Sequence, residues 1–412
     1  MAPTQSLPLS GIRVVAIEQA VAAPLCSRHL ADLGADVIKV ERTGSGDFAR
    51  DYDTFAHGMS SHFVWLNRGK RSIAIDLKTE QGQKILVDLL DTADVLLTNL
   101  GPGAVDRLVD DAELTQRNPR LVRCCISGYG PDGPYENRKA FDLLVQGEAG
   151  VTASTGEPGC PAKPGVSLAD LGAGIYAVTA ILAALRQREI TGHGDRVHIA
   201  MFDVLVEWMN PLLIAYREAG VEIAPAGTRH ATITPYGPFV TADGTTVNIA
   251  VQNDRQWMAL CEVLQADDLA ADHGLRRNAD RLIRRDFVER AVADAVARYP
   301  EAELVEKLDA AAVPWGRMND IAHVASHPQL GAGDRWIPVL LPFPSSSTIR
   351  VAAAPFRFAS HPSGVGGGAD VPALGQHTID ILTGLGYDRD ELQSLMSRGD
   401  VQISTEMKAG RR

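Results

Sequence analysis

The stretch from residue 11 to 41 leaves few choices of fold. Arg13-Val14-Val15-Ala16-Ile17 is an apolar strand-forming run. Pro24 to Leu33 has helical spacing with its proline in the first turn, and Asp36-Val37-Ile38-Lys39-Val40 is a second strand. Such a unit predicts a parallel sheet with a right-handed crossover. Ser72-Ile73-Ala74-Ile75, Val95-Leu96-Leu97 and Leu121-Val122-Arg123-Cys124-Cys125-Ile126 supply further strands, with helices at about 80–91 and 112–117 between them. The first half is therefore α/β, Rossmann-like and doubly wound or close to it.

Residues 171–187 and 201–219 carry the longest helical patterns, separated by the short strand Arg196-Val197-His198-Ile199-Ala200. The character then changes. Residues 236–249 read as a hairpin with an Asp243-Gly244 turn, followed by helices at about 254–264 and 283–309. The last stretch returns to strands at 337–341 and 348–352, a glycine-rich loop at Gly364 to Gly368, and a helix at about 376–385. A chain of 412 residues is long for one core. The expected division is a large domain begun by residues 1–205, a linker helix at 206–225, a small α/β domain at 226–325, and a return segment, 326–412, that completes the large domain.

The net charge of -11 argues against nucleic acid or an anionic membrane as partner. Five cysteines without a C-x-x-C pair fit a reducing cytoplasm and no zinc site. The N-terminus lacks the basic start of a signal peptide, and the apolar run Ala173 to Leu185 is too short for a membrane span.

A sheet that begins this way invites a dinucleotide, and Glu41 ends the second strand where an acid would hold a ribose. The first turn, however, reads Glu18-Gln19-Ala20-Val21-Ala22-Ala23-Pro24, without the glycines that let backbone approach a pyrophosphate. What does recur at strand ends is positive charge. Arg42 follows the second strand. Arg68, Lys70 and Arg71 precede the third, and Lys78 follows it. Arg107 comes soon after Asn99-Leu100-Gly101-Pro102-Gly103, and Arg138 and Lys139 lie in the next long loop. Each alone reads as a solvated surface charge, but together at a carboxyl edge they suit a ligand with several phosphates.

Asp170 lies where a loop enters an apolar helix, in Ser167-Leu168-Ala169-Asp170-Leu171-Gly172-Ala173-Gly174. It reads either as an ordinary N-cap or as an exposed carboxylate nucleophile, with the two glycines leaving space for an acyl group and offering N–H groups to an oxyanion.

Asn67 to Lys78, Asn99-Leu100-Gly101-Pro102-Gly103, Gly128-Tyr129-Gly130-Pro131, Leu374-Gly375-Gln376-His377-Thr378 and the setting of Asp170 resemble the family III CoA-transferases of the CaiB/BaiF type, over about residues 8–390. The resemblance implies acyl-CoA thioesters and small carboxylic acids as substrates, no tightly bound cofactor, no metal, and an interlocked homodimer. It implies Asp170 as the nucleophile and Arg42, Ile75, Lys78, Asn99, Leu100, Arg107, Lys139 and Phe141 around the CoA, with Ile75 and Leu100 on the adenine. Related α-methylacyl-CoA racemases need a histidine where this chain has Phe141, and phenylalanine transfers no proton. Some transferases place a glutamine where Val21 stands, and Gln19 is its neighbour. Lys139 to Gln146, His230 to Phe239 and Gln252 to Trp257 resemble the branch acting on C4 and C5 dicarboxylates, which makes Arg229 and His230 candidates for the second carboxylate.

Overall fold

The computed structural model describes residues 6–101, 103–105, 107–342, 347–361 and 370–404. The predicted loop at Gly364 to Gly368 lies outside them. The chain divides into two compact units. One takes in the chain up to Ala149, Gly165–Asn210 and everything from Ala332 onward; the other is Gly150–Pro164 with Pro211–Gly331.

The first unit is built on β1 (Arg13–Ile17), β2 (Asp36–Glu41), β3 (Arg71–Ile75), β4 (Val95–Thr98) and β5 (Val122–Ser127). Arg196–Ala200 extends the sheet beyond β5, and Val401–Gln402 closes the other edge beside β3. The order along the sheet runs Val401–Gln402, β3, β2, β1, β4, β5, Arg196–Ala200. Every pairing is parallel except that of Val401–Gln402 with β3. The order reverses between β1 and β4, so a crevice opens at their carboxyl ends. The central strands are buried on both faces, which is why they read as continuous apolar runs.

The 24-residue helix Leu168–Thr191 is the longest element. By length and composition it would cross a bilayer. Here it is packed between neighbours of its own unit, and its two early glycines set the closeness. A Cβ on Gly172 would stand 2.7 Å from both Trp208 and Val204, and one on Gly174 would stand 2.7 Å from the Ala22 carbonyl oxygen. The glycines are therefore closed against protein, which corrects the expectation of open space above them.

The long pattern at 201–219 is two helices, Met201–Trp208 and Asn210–Ala219, with Pro211 in the first turn of the second. The pattern at 283–309 divides likewise into Arg285–Val296 and Glu301–Ala310, because Pro300 has no N–H to continue the first. In the second unit the predicted hairpin is Tyr236–Val240 paired with Thr246–Ala250, and Trp315–Arg317 adds a third strand. The Leu374-to-Thr378 motif turns out to be a tie within the first unit. His377 donates its N–H to the Ser72 carbonyl and accepts from Ser72 N at Nδ1, and Gly375 N donates to Ser72 Oγ.

Candidate active site

The turn after β1 is held from two sides. The Asn99 side chain, just past β4, accepts from Gln19 N at 2.9 Å and donates to the Gln19 carbonyl at 2.8 Å. This bridge spans the switch point of the sheet. The next residue, Ala20, has a left-handed backbone with φ of 62°. Its N–H donates to Asp47 Oδ1 at 3.1 Å. A non-glycine residue in that region costs roughly 1 kcal/mol or more, so its surroundings must enforce it.

Beneath the turn lies a buried charge network. Lys70 Nζ donates to Glu18 Oε1 at 2.7 Å, and Lys39 Nζ donates to Asp47 Oδ2 at 2.9 Å. Glu41 accepts from Arg50 at 2.7 and 2.8 Å and from Ser72 Oγ at 2.6 Å. Burial alone would raise the Glu18 carboxyl, but the Lys70 and Lys39 ammonium groups outweigh it and hold it below its ordinary value. Burial brings Lys70 down to about 8, with Lys39 adding to the effect. Glu41 is thus committed to Arg50 and offers nothing to a ribose.

This network corrects the reading of convergent cations. Lys70 is bound to Glu18, and Arg68 is buried against Asp32, itself paired with Arg28. Arg71 pairs with Asp36. None of the three is presented to a ligand, because residues that precede a parallel strand lie at its amino end. The cations that follow strands, Arg42, Lys78, Arg107 and Lys139, are all exposed. Arg42 is oriented by Nε donation to the Gly46 carbonyl at 2.9 Å. Leu100 is half-buried on the edge of the core. Ile75 departs from the expectation: its side chain has no exposed surface and lies in the core, so it presents no face to an adenine.

Asp170 stands in the first turn of Leu168–Thr191, with Ser167 as the N-cap residue. It is the third helical residue, not the cap, and Ser167 makes no side-chain cap bond. The capping acceptor comes from elsewhere: the buried Asp142 takes Ala169 N on Oδ1 at 2.9 Å. Its other oxygen accepts from Gln146 Nε2 at 2.7 Å. Gly172 and Gly174 lie inside the helix, where their N–H groups serve the helical ladder and cannot be aimed at an oxyanion.

Two sets of contacts bring Asp170 to the β1 turn. Ala20, Trp65 and Leu171 pack against the cluster of Val21, Leu25 and Leu66. Tyr52 stands near the carboxylate: burial pushes its phenol up to about 12, with the Asp47 and Asp170 charges adding to the effect. Gln19 contributes its backbone to the Asn99 bridge, and Val21 is a buried member of the apolar cluster. Phe141 is 66% exposed and immediately precedes the helix Asp142–Glu148.

Arg229 and His230 lie in the second unit. Arg229 pairs with Glu289 at 3.2 Å and sits over the Phe239 ring. His230 stacks on Tyr236 with ring centroids 5.1 Å apart and accepts Thr232 N on Nδ1. Both already have structural work there. Sequence reasoning passed over Asp47, Tyr52, His62 and Asp142. Gly44-Ser45-Gly46-Asp47 carried a turn-and-cap signal, and Asp47 accepts Ala49 N at the start of Phe48–Asp51. Tyr52, His62 and Asp142 match no motif by themselves, and what ties them to Asp170 is proximity to its distant helix.

The fold is a mostly parallel, doubly wound α/β sheet with a carboxylate, Asp170, in the first turn of a helix packed near the β1 turn. The family model for CoA-transferase family III matches residues 9–378, and the chain belongs to that family. It is similar to a succinate–glutarate CoA-transferase from Agrobacterium fabrum, at 34% identity over 392 residues, 93% of this chain and 97% of that one. It is also similar to a succinyl-CoA:mesaconate CoA-transferase from Haloarcula hispanica, at 32% identity over 401 residues, 94% and 99% of the two chains. The crystal structure of a CaiB/BaiF family protein from Brucella suis aligns with a TM-score of 0.78 at 32% identity, covering 92% of this chain and 100% of that one. The chain is a CoA-transferase.

Proposed function

We propose that this enzyme moves CoA from a donor such as succinyl-CoA to a small C4 or C5 dicarboxylate, with Asp170 as the nucleophile. The observation that carries the reading is the place of Asp170, in the first turn of a helix packed against the β1 turn. The helix dipole there favours negative charge on the carboxylate. The relatives named for succinate, glutarate and mesaconate support the substrate class.

In this mechanism Asp170 attacks the thioester carbonyl of the donor. The C–S bond breaks, CoA thiolate leaves, and a mixed anhydride forms. The thiolate then attacks the aspartyl carbonyl and displaces the donor acid, leaving an aspartyl-CoA thioester. The acceptor carboxylate attacks that thioester, giving a second anhydride and thiolate. Attack of the thiolate on the acceptor carbonyl yields the new acyl-CoA and restores Asp170. No proton is consumed, and a weak nucleophile is compensated by positioning. Arg42, Lys78, Arg107 and Lys139 would face the phosphates, with Asn99 and Leu100 beside the nucleotide. Exposed Phe141 can take no part in proton transfer, which disfavours a racemase.

A homodimer belongs to the same reading. It is supported by exposed apolar side chains on the long helix, Ile175, Tyr176 and Ile190, with exposed Trp208 beside Tyr176. Apolar surface of that kind favours association.

The test is intact-protein mass spectrometry of wild type and Asp170→Asn, incubated with succinyl-CoA and a panel of dicarboxylic acids. New acyl-CoA species, with a hydroxylamine-sensitive adduct on the wild type only, are expected. An equally active Asp170→Asn protein would remove Asp170 from the mechanism.

A further inference from the structure

With Arg229 and His230 engaged in the second unit, the first unit must be asked what would recognise the far carboxylate of a dicarboxylate. Its buried cations are excluded. Lys39, Lys70, Arg50 and Arg68 are each bound to a carboxylate beneath the turn or deeper. What remains beside the Asp170 helix is a shelf of aromatic residues. Phe48 and Tyr52 lie 5.8 Å apart between ring centroids, and Tyr52 and His62 lie 5.7 Å apart, edge to face. Trp65 follows at 6.5 Å from His62. Trp65 and Leu171, the neighbour of Asp170, pack against the same buried residues, Val21, Leu25 and Leu66. Tyr52 is within electrostatic reach of Asp170 itself.

His62 is the one imidazole on this shelf among the described residues, and about half of its side chain is exposed. Its placement is specified. Asp53 Oδ1 accepts Ser61 N at 2.9 Å and Oδ2 accepts Ser61 Oγ at 2.8 Å, fixing the start of the helix Ser61–Asn67. The same carboxylate lies 3.5 Å from His62 Nδ1. With Nδ1 turned to Asp53, Nε2 is the ring atom left to a ligand.

We propose that His62 is the specificity-determining residue for the second carboxylate of the substrate. The apolar side of the shelf, made by partly buried Trp65 and Leu171 over the buried Val21, suits the methylene chain of the acyl group. As an imidazolium, the ring at its rim points its Nδ1–H toward Asp53 and donates its Nε2–H to the terminal carboxylate. This rests on the dicarboxylate reading above and names the residue that enforces it. A site that hydrogen-bonds a polar group discriminates strongly against substrates lacking it.

The experiment compares wild type, His62→Phe and His62→Gln as full-length protein. Each is assayed for CoA transfer from succinyl-CoA to glutarate and from butyryl-CoA to valerate. His62→Phe keeps the aromatic packing and removes the polar partner; His62→Gln keeps a donor. The expected result is a fall of about tenfold to a hundredfold in kcat/KM for the dicarboxylate pair in His62→Phe, with little change for the monocarboxylate pair. His62→Gln should recover part of the preference. If wild type prefers dicarboxylates and His62→Phe leaves the ratio unchanged, or lowers both pairs equally, the assignment to His62 is overturned while the dicarboxylate reading stands. A wild type that moves CoA only among monocarboxylates overturns both.

Discussion

Asp142 Oδ1 accepts the backbone N–H of Ala169, so the helix that presents Asp170 is capped by a residue 27 positions earlier in the chain. Asp142 is buried and opens the short helix Asp142–Glu148. The loop that ends at Phe141 is thereby tied to the helix that carries Asp170. Replacing Asp142 by Ala removes a cap worth about 1 kcal/mol and also strands the Gln146 amide. The expected outcome is a lowered Tm together with a fall in kcat larger than any change in KM. Thermal unfolding and steady-state kinetics read both, and a kcat left intact would show that the cap serves stability alone.

Gly174→Ala and Gly172→Ala test the helix contact. In an open helix alanine would stabilise by about 1 kcal/mol. Here the added Cβ meets the Ala22 carbonyl oxygen or the Val204 and Trp208 side chains at 2.7 Å. Both changes should instead destabilise, by roughly 1–3 kcal/mol. Gly174→Ala should be the worse, since backbone yields less readily than a side chain. Denaturant melts decide the sign.

Acid stability should report Glu41. Burial raises this carboxyl, but the Arg50 guanidinium and its hydrogen bonds overcome that effect and hold it at about 2, against an ordinary 4.5. A depressed carboxyl contributes stability that is complete above pH 4.5 and is lost as pH falls toward 2. The shift corresponds to about 3 kcal/mol at neutral pH. Glu41→Gln should therefore lower the Tm at pH 7 and flatten its acid limb between pH 4.5 and 2. A parallel pH profile in the variant would sink the assignment.

Ala20 tests strain at the β1 turn. With φ at 62°, its conformation suits glycine better than alanine. Ala20→Gly should be neutral or stabilising by up to about 1 kcal/mol, although glycine substitution ordinarily weakens a fold. The looser turn should also lower kcat, since Ala20 packs against the apolar cluster beside Asp170. A loss of stability above 1 kcal/mol would mean that the surroundings impose no strain there.

Much of the sheet was legible because a parallel strand buried on both faces must be apolar along its length, as Val14 to Ile17 and Val95 to Leu97 are. The helix breaks at Pro211 and Pro300 were present in the sequence but outweighed by the apolar periodicity around them. Asp170 was legible as a residue, and the cap alternative falls because the helix start is capped by Asp142 from another segment. Arg68 and Lys70 looked like phosphate ligands only when grouped with the cations that follow strands; they precede one, and their pairing with Asp32 and Glu18 is made by segments distant in sequence.

The sequence by itself determined the α/β class, the succession of the first strands along the chain, the family and the acidic residue at the helix start. Those depend on local periodicity and on motifs that are contiguous in the chain. Only the tertiary structure decided which cations are buried in pairs, that Gly172 and Gly174 admit neighbouring helices, that Asn99 and Asp47 hold the β1 turn, and that His62 shares a shelf with Tyr52 beside Asp170. Each of these joins groups far apart in sequence, and hydrogen bonds, sterics and charge act through distances in space.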